Sequence, residues 1–178
     1  SEMCIRDRHW TVSMWIKRSK LGSLQHVWSW SRNNTNAEGG FAFDANDQIF
    51  FISDGQNGST NEIDGIFKDP SAWFHLVWAC DADNGTNALR WRVYINGVER
   101  AITGDPTIQD AAGKINQGSS QEHWIGGRAR SLNSNVSDAS FFSGYLADVV
   151  FIDDSTLGPT SFGEFDDDTG IWKPIDVS

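Results

Sequence analysis

Alternation with a period of two constrains this chain more than any other feature. In WRVYINGVER, residues 91–100, Trp91, Val93 and Ile95 fall on one face of a strand and Arg92 and Tyr94 on the other. Asn96-Gly97 then supplies two residues that tolerate positive φ, as a type I′ turn requires. Val98, Glu99 and Arg100 begin the return strand. No stretch of ten or more residues keeps an apolar stripe at helical spacing, so helices are excluded as the frame of the fold.

The same alternation recurs along the chain. WTVSMWIKR sets Trp10, Val12, Met14 and Ile16 against Thr11, Ser13, Trp15 and Lys17. LQHVWSWS places Leu24, His26, Trp28 and Trp30 on one side. FAFDANDQIFFIS reads as two strands around a turn at Ala45-Asn46-Asp47. SAWFHLVWAC is apolar on both faces, which predicts a central strand covered on both sides. GYLADVVFID puts Tyr145, Ala147, Val149 and Phe151 on one face. GPTSFGEF predicts one helical turn with Pro159 early in it. Residues 104–121 and 129–140 read as loops. About eight to ten short strands with frequent turns predict one all-β domain, an antiparallel jelly-roll β-sandwich.

Composition narrows the function. The formal net charge of −10 disfavours nucleic acid, whose phosphates need Lys and Arg, and anionic membrane surfaces. The nearly apolar runs WFHLVWAC and YLADVVFI are far shorter than the roughly 20 residues of a membrane helix, so no membrane insertion is expected. Two cysteines, Cys4 and Cys80, make no disulfide framework, and Cys80 reads as a buried small hydrophobe. Nine Trp and eleven Phe suit an interlayer core, and they are also platforms for sugar rings. Residues 1–8, SEMCIRDR, carry neither alternation nor turn logic. They resemble translated sequencing-adapter read-through, with a disordered terminus as the plain alternative.

The series WTVSMWIKRS, DPSAWFHLVWACD, LRWRVYINGVE, HWIGGR and FFSGYLADVVFIDDSTLGPTSFGEF resembles the concanavalin A-like lectin/glucanase superfamily in its laminin-G-like form. The likeness carries residues 9–165 as the domain and leaves 166–178 as the start of a truncated segment. The wording WIKRSKLG, KDPSAWFHLV and FGEFDDDTGIWKP is similar to laminin-G-like domains in structural and tail-associated proteins of marine phages. The resemblance implies a non-catalytic glycan-binding adhesion module, on a virion or extracellular, with glycans and other virion or surface subunits as partners. The alternative is a purely structural domain that decorates an assembly and binds no sugar.

Some members of the superfamily are retaining glucanases, which need a carboxylate nucleophile and a carboxylic acid about 5–5.5 Å apart. Glu62 and Asp64 open such a motif, but Phe67 stands where the acid belongs. Glu164 and Asp166 open another, with Thr169 in that place. No G-x-S-x-G supplies a nucleophile elbow. The resemblance also implies calcium. Asp81 and Asp83 are spaced like the first two ligands of a calcium loop, but Gly85 and Thr86 break the pattern, so a plain turn stands beside that reading. For sugar, exposed aromatic faces beside hydrogen-bonding groups are required. Trp15 breaks its strand's alternation, Tyr94 lies with Arg92 opposite the core face, and Trp28 shares a face with two other rings. These four are the glycan-binding candidates. Sequons at Asn33, Asn57, Asn84 and Asn135 matter only in a eukaryotic secretory setting.

Overall fold

The computed structural model describes residues 9–31, 38–52, 61–103, 122–128 and 140–177. The sequons at Asn33, Asn57 and Asn135, residues 1–8 and nearly all of both long loops lie outside them. The strands are β1 His9–Arg18, β2 Gln25–Ser31, β3 Glu38–Phe43, β4 Ile49–Ile52, β5 Asn61–Ile63, β6 Phe74–Asp81, β7 Trp91–Ile95, β8 Val98–Arg100, β9 Ile102–Thr103, β10 Glu122–Ile125, β11 Gly144–Asp153, β12 Gly163–Phe165 and β13 Trp172–Pro174. Among the described residues the only helical elements are two 3-10 turns, Asn87–Leu89 and Pro159–Ser161, the second with its proline at the start as predicted.

Two antiparallel sheets form a jelly-roll sandwich. One is five-stranded in the order β11-β1-β6-β7-β8, and the other six-stranded in the order β10-β2-β3-β4-β5-β9. Their inner faces meet in a single apolar cluster. Trp78 lies at its centre, with ring centroids of Phe51 at 4.5 Å, Trp10 at 4.7 Å and Trp91 at 5.0 Å, mostly edge to face. Cys80 is buried beside them, and desolvation pushes its thiol up to about 12.

The opening hairpin forms as its sequence dictates. Trp91, Val93 and Ile95 are buried, Arg92 is exposed and Tyr94 half-buried. Asn96 and Gly97 take φ of 49° and 78°, both positive, as a type I′ turn demands. A Cβ on Gly97 would stand 2.4 Å from the Trp172 ring. Gly97→Val is therefore expected to destabilise by about 1–3 kcal/mol from backbone strain alone, with displacement of Trp172 added. Denaturant midpoints of the two proteins check this.

Two β-bulges overturn face assignments that simple alternation suggests. In β2, His26 pairs Ala42 while Trp28 pairs Phe41, so one extra residue intervenes. His26 therefore turns to the outer side and Trp28 into the core, and the predicted single face is split. In β11, the register shifts where Ser13 pairs Val150 and Trp15 pairs Ala147. Asp148, at φ 47°, takes up the extra residue. Tyr145 and Ala147 thus face outward with Lys17 and Trp15, whereas Phe151 pairs Val12 and reaches the core side next to Trp28.

An ion pair pins the corner between the sheets. Arg18 and Asp47 are buried and 2.9 Å apart. Arg18 also donates to the carbonyl of Phe67 and stacks over the Phe43 ring, and Asp47 accepts from the Gly22 amide. These bonds compensate most of the buried pair, with Arg18 Nε left unpartnered.

Candidate functional site

The outer face of the five-stranded sheet is where polar and aromatic groups converge. Thr11, Ser13, Trp15 and Lys17 of β1 point there, with His75, Val77 and Ala79 of β6 and Arg92 and Tyr94 of β7 beside them. Thr11, Ser13, His75, Val77 and Ala79 are buried because a second layer covers them. The chain after β11 folds back over the sheet. Thr11 donates to the carbonyl of Ser155 and accepts from the Leu157 amide, and Thr156 donates to the carbonyl of Cys80. The β12–β13 hairpin follows, pairing Phe165 with Trp172, and Phe162 and Trp172 are buried against the sheet. β6 is covered on both faces, as its apolar run predicts.

His75 is the polar centre of this layer. Its ring lies between Trp15, stacked at 4.9 Å, and Trp172, stacked at 6.0 Å. The Trp172 indole donates to His75 Nδ1 at 3.0 Å, and Ser13 Oγ lies 2.8 Å from Nε2. An indole N–H only donates, so Nδ1 must carry the lone pair and the neutral ring's proton sits on Nε2. His75 therefore donates to Ser13 and cannot take a proton from it. The pair has the spacing of a nucleophile and base but the wrong tautomer for that chemistry. Desolvation holds the His75 pKa down at about 4. A small cleft of about 10 Å³, room for roughly one water, opens beside the ring, lined in part by Trp15, Asp148, Phe162 and Val177.

The four glycan candidates separate. Trp15 is half-buried on the outer face. Arg92 and Tyr94 lie on the same face, two strand spacings or about 10 Å away across β6, with Trp172 over His75 between them. Arg92 Nε is 3.4 Å from Glu99, and burial together with the Glu99 charge raises the Tyr94 hydroxyl pKa. Trp28 does not belong with them. It is 5% exposed, packed against Trp10, Trp30 and Trp78 in the core. The β2 bulge turns it inward, and it offers no face to a ligand.

The acidic candidates are engaged elsewhere. Asp81 sits 3.1 Å from His9 Nε2, which also lies 3.8 Å from Asp83, and Asn84 donates to the second Asp81 oxygen. Calcium needs six to eight oxygens. Two carboxylates sharing an imidazole do not fit it, and among the described residues no group of three or more His, Cys, Asp or Glu is arranged to hold a metal. Glu62 lies on β5 opposite Phe50 and Thr103, and Phe67 packs against Phe43 and Phe74. Asp166 caps its own turn, accepting from Thr169, and is bridged to Lys173.

Two aromatics that the sequence reading did not single out lie on this face. Trp73 is 42% exposed and Tyr145 62%, with centroids 6.5 Å apart. The available signal was Trp73 standing two residues before the outward-facing His75.

The fold places the chain in a family. It belongs to the concanavalin A-like lectin/glucanases superfamily, whose laminin G family model matches residues 3–158. Among solved structures it is similar to the native heptameric SAP-like pentraxin from Limulus polyphemus, with TM-score 0.60 and 16% identity over 84% of this chain and 65% of that one. The CBM40 of Ruminococcus gnavus IT-sialidase, bound to α2,3-sialyllactose, gives TM-score 0.58 and 13% identity over 86% of this chain and 80% of that one. A Trypanosoma rangeli sialidase gives 0.55 and 14%, over 85% of this chain but only 21% of the enzyme. At these identities the likeness defines the fold. No curated protein matches the sequence. No helix among the described residues is long and apolar enough to cross a membrane.

Proposed function

We propose that the domain is a non-catalytic, lectin-like glycan-binding module that serves adhesion on a phage virion or other extracellular surface protein. The observation that carries this reading is the outer face of the five-stranded sheet. There Trp15, Arg92 and Tyr94 turn away from the core and stay partly open on either flank of the covering layer. The fold shared with a carbohydrate-binding module supports it. So do Glu62 and Glu164, whose motifs carry Phe67 and Thr169 where a second carboxyl would stand, and His75, which donates to Ser13 rather than accepting its proton. Partners of this reading are a surface glycan and neighbouring virion or surface subunits. A printed oligosaccharide array, read with calcium present and with chelator, tests it. Binding to a defined sugar class that survives chelation is expected. Absence of binding at every calcium level would contradict it.

A second reading, a structural domain without a sugar ligand, is favoured by one feature. β11 is an edge strand of ten residues whose Val149 and Phe151 are exposed at 41% and 43%. Such an edge suits strand addition by a neighbouring subunit, although the Asp148 bulge interrupts it.

A further inference from the structure

The strand order β11-β1-β6 sets three side chains in one row on the outer face. Lys17 pairs with Tyr145 across β1 and β11, and Ile16 pairs with Phe74 across β1 and β6. Trp73, one residue before Phe74, therefore flanks Lys17 on its other side. Tyr145 stands on β11 and Trp73 immediately before β6, on either side of β1 and some 10 Å apart at the backbone. Their ring centroids are nevertheless only 6.5 Å apart, so the rings converge across the row that Lys17 occupies. Their planes meet at 53° and form an open V. Trp15 lies two residues before Lys17 on the same strand face and extends the aromatic surface toward the cleft.

We propose that Trp73, Lys17 and Tyr145 form the platform for a neutral pyranose, an inference that rests on the glycan-binding reading above. Aromatic rings this exposed bury apolar area only when a partner covers them, and the C–H face of a pyranose is such a partner. Hydroxyls at its rim need both donors and acceptors. The Lys17 ammonium donates. The Asp69 carboxylate, held below its usual range by bonds from Ser71 and by the Lys17 charge, accepts. This carboxylate near Lys17, on a chain of net charge −10, offsets the local positive charge that an acidic sugar would require. Arg92 and Tyr94 lie on the same outer face, on the far flank of the covering layer.

The test uses an array carrying neutral β-galactosides and β-glucosides together with sialylated and uronate-bearing oligosaccharides, followed by titration of the best binder. Trp73→Ala and Tyr145→Ala are each expected to lower affinity at least tenfold while the melting temperature holds, since both rings are exposed. Trp73→Phe should retain most of the binding. If the parent protein binds but Trp73→Ala and Tyr145→Ala bind equally well, the platform is wrong and the lectin reading stands. If the parent binds nothing, the lectin reading fails and takes the platform with it. Preference for the sialylated or uronate sugars would overturn the assignment of a neutral ligand.

Discussion

Acidification from pH 7 to pH 4 is expected to remove about 6 kcal/mol of folding stability, through two buried histidines. Desolvation holds both His26 and His75 at about 4, against 6.5 for a free side chain; a nearby Arg128 adds to the shift at His26. The sign follows from which state binds the proton. Between pH 6.5 and 4 the unfolded chain takes it up and the folded chain resists, so stability is complete above 6.5 and falls as the pH drops toward 4. Each histidine accounts for about 3 kcal/mol by pH 4. At His75 the resistance has a structural cause, since a proton on Nδ1 would face the Trp172 indole N–H. The loss is comparable to the whole stability of many domains, about 5–15 kcal/mol. Urea midpoints from pH 7 to 4 measure it. His75→Gln, which keeps an acceptor without a titration, should roughly halve the slope. A slope unchanged in that variant would show that His75 is not responsible.

Trp78→Ala is expected to cost about 3–5 kcal/mol, the range for a large aromatic removed from a core. The ring is fully buried and touches rings from both sheets, among them Trp10, Trp91, Trp28 and Phe51. Rigid aromatic neighbours held by two sheets cannot collapse into the gap, which places the cost toward the upper end. Tyr94→Ala, on the opposite face of the same sheet, should cost far less. Denaturant titrations of both variants give the contrast, and equal losses would overturn the inner and outer assignment of β6 and β7.

The fold was legible where pairing is local. The 91–100 hairpin joins a clean alternation to an Asn-Gly turn, and its burial follows from those ten residues. The bulges were not legible, because an inserted residue leaves an apolar string such as Tyr145-Ala147-Val149-Phe151 looking continuous while reversing half of it. Trp28 was misplaced for the same reason. Trp15 was read correctly as outward, but its partner His75 and the cover Trp172 lie 60 and 157 residues on, and no local pattern announces that contact. Trp73 and Tyr145 meet only because β6 and β11 flank β1.

The central claim is that sugar is bound on the outer face of the five-stranded sheet. Each of the nine tryptophans carries one indole N–H, which a two-dimensional ¹H–¹⁵N spectrum reports separately. Titration of the labelled protein with the best neutral oligosaccharide from the array should shift the Trp73 and Trp15 indole signals. Those of Trp10, Trp28, Trp30 and Trp78, sealed in the core, should stay in place. No shift with any sugar, or shifts that leave Trp73 and Trp15 untouched, would contradict the account.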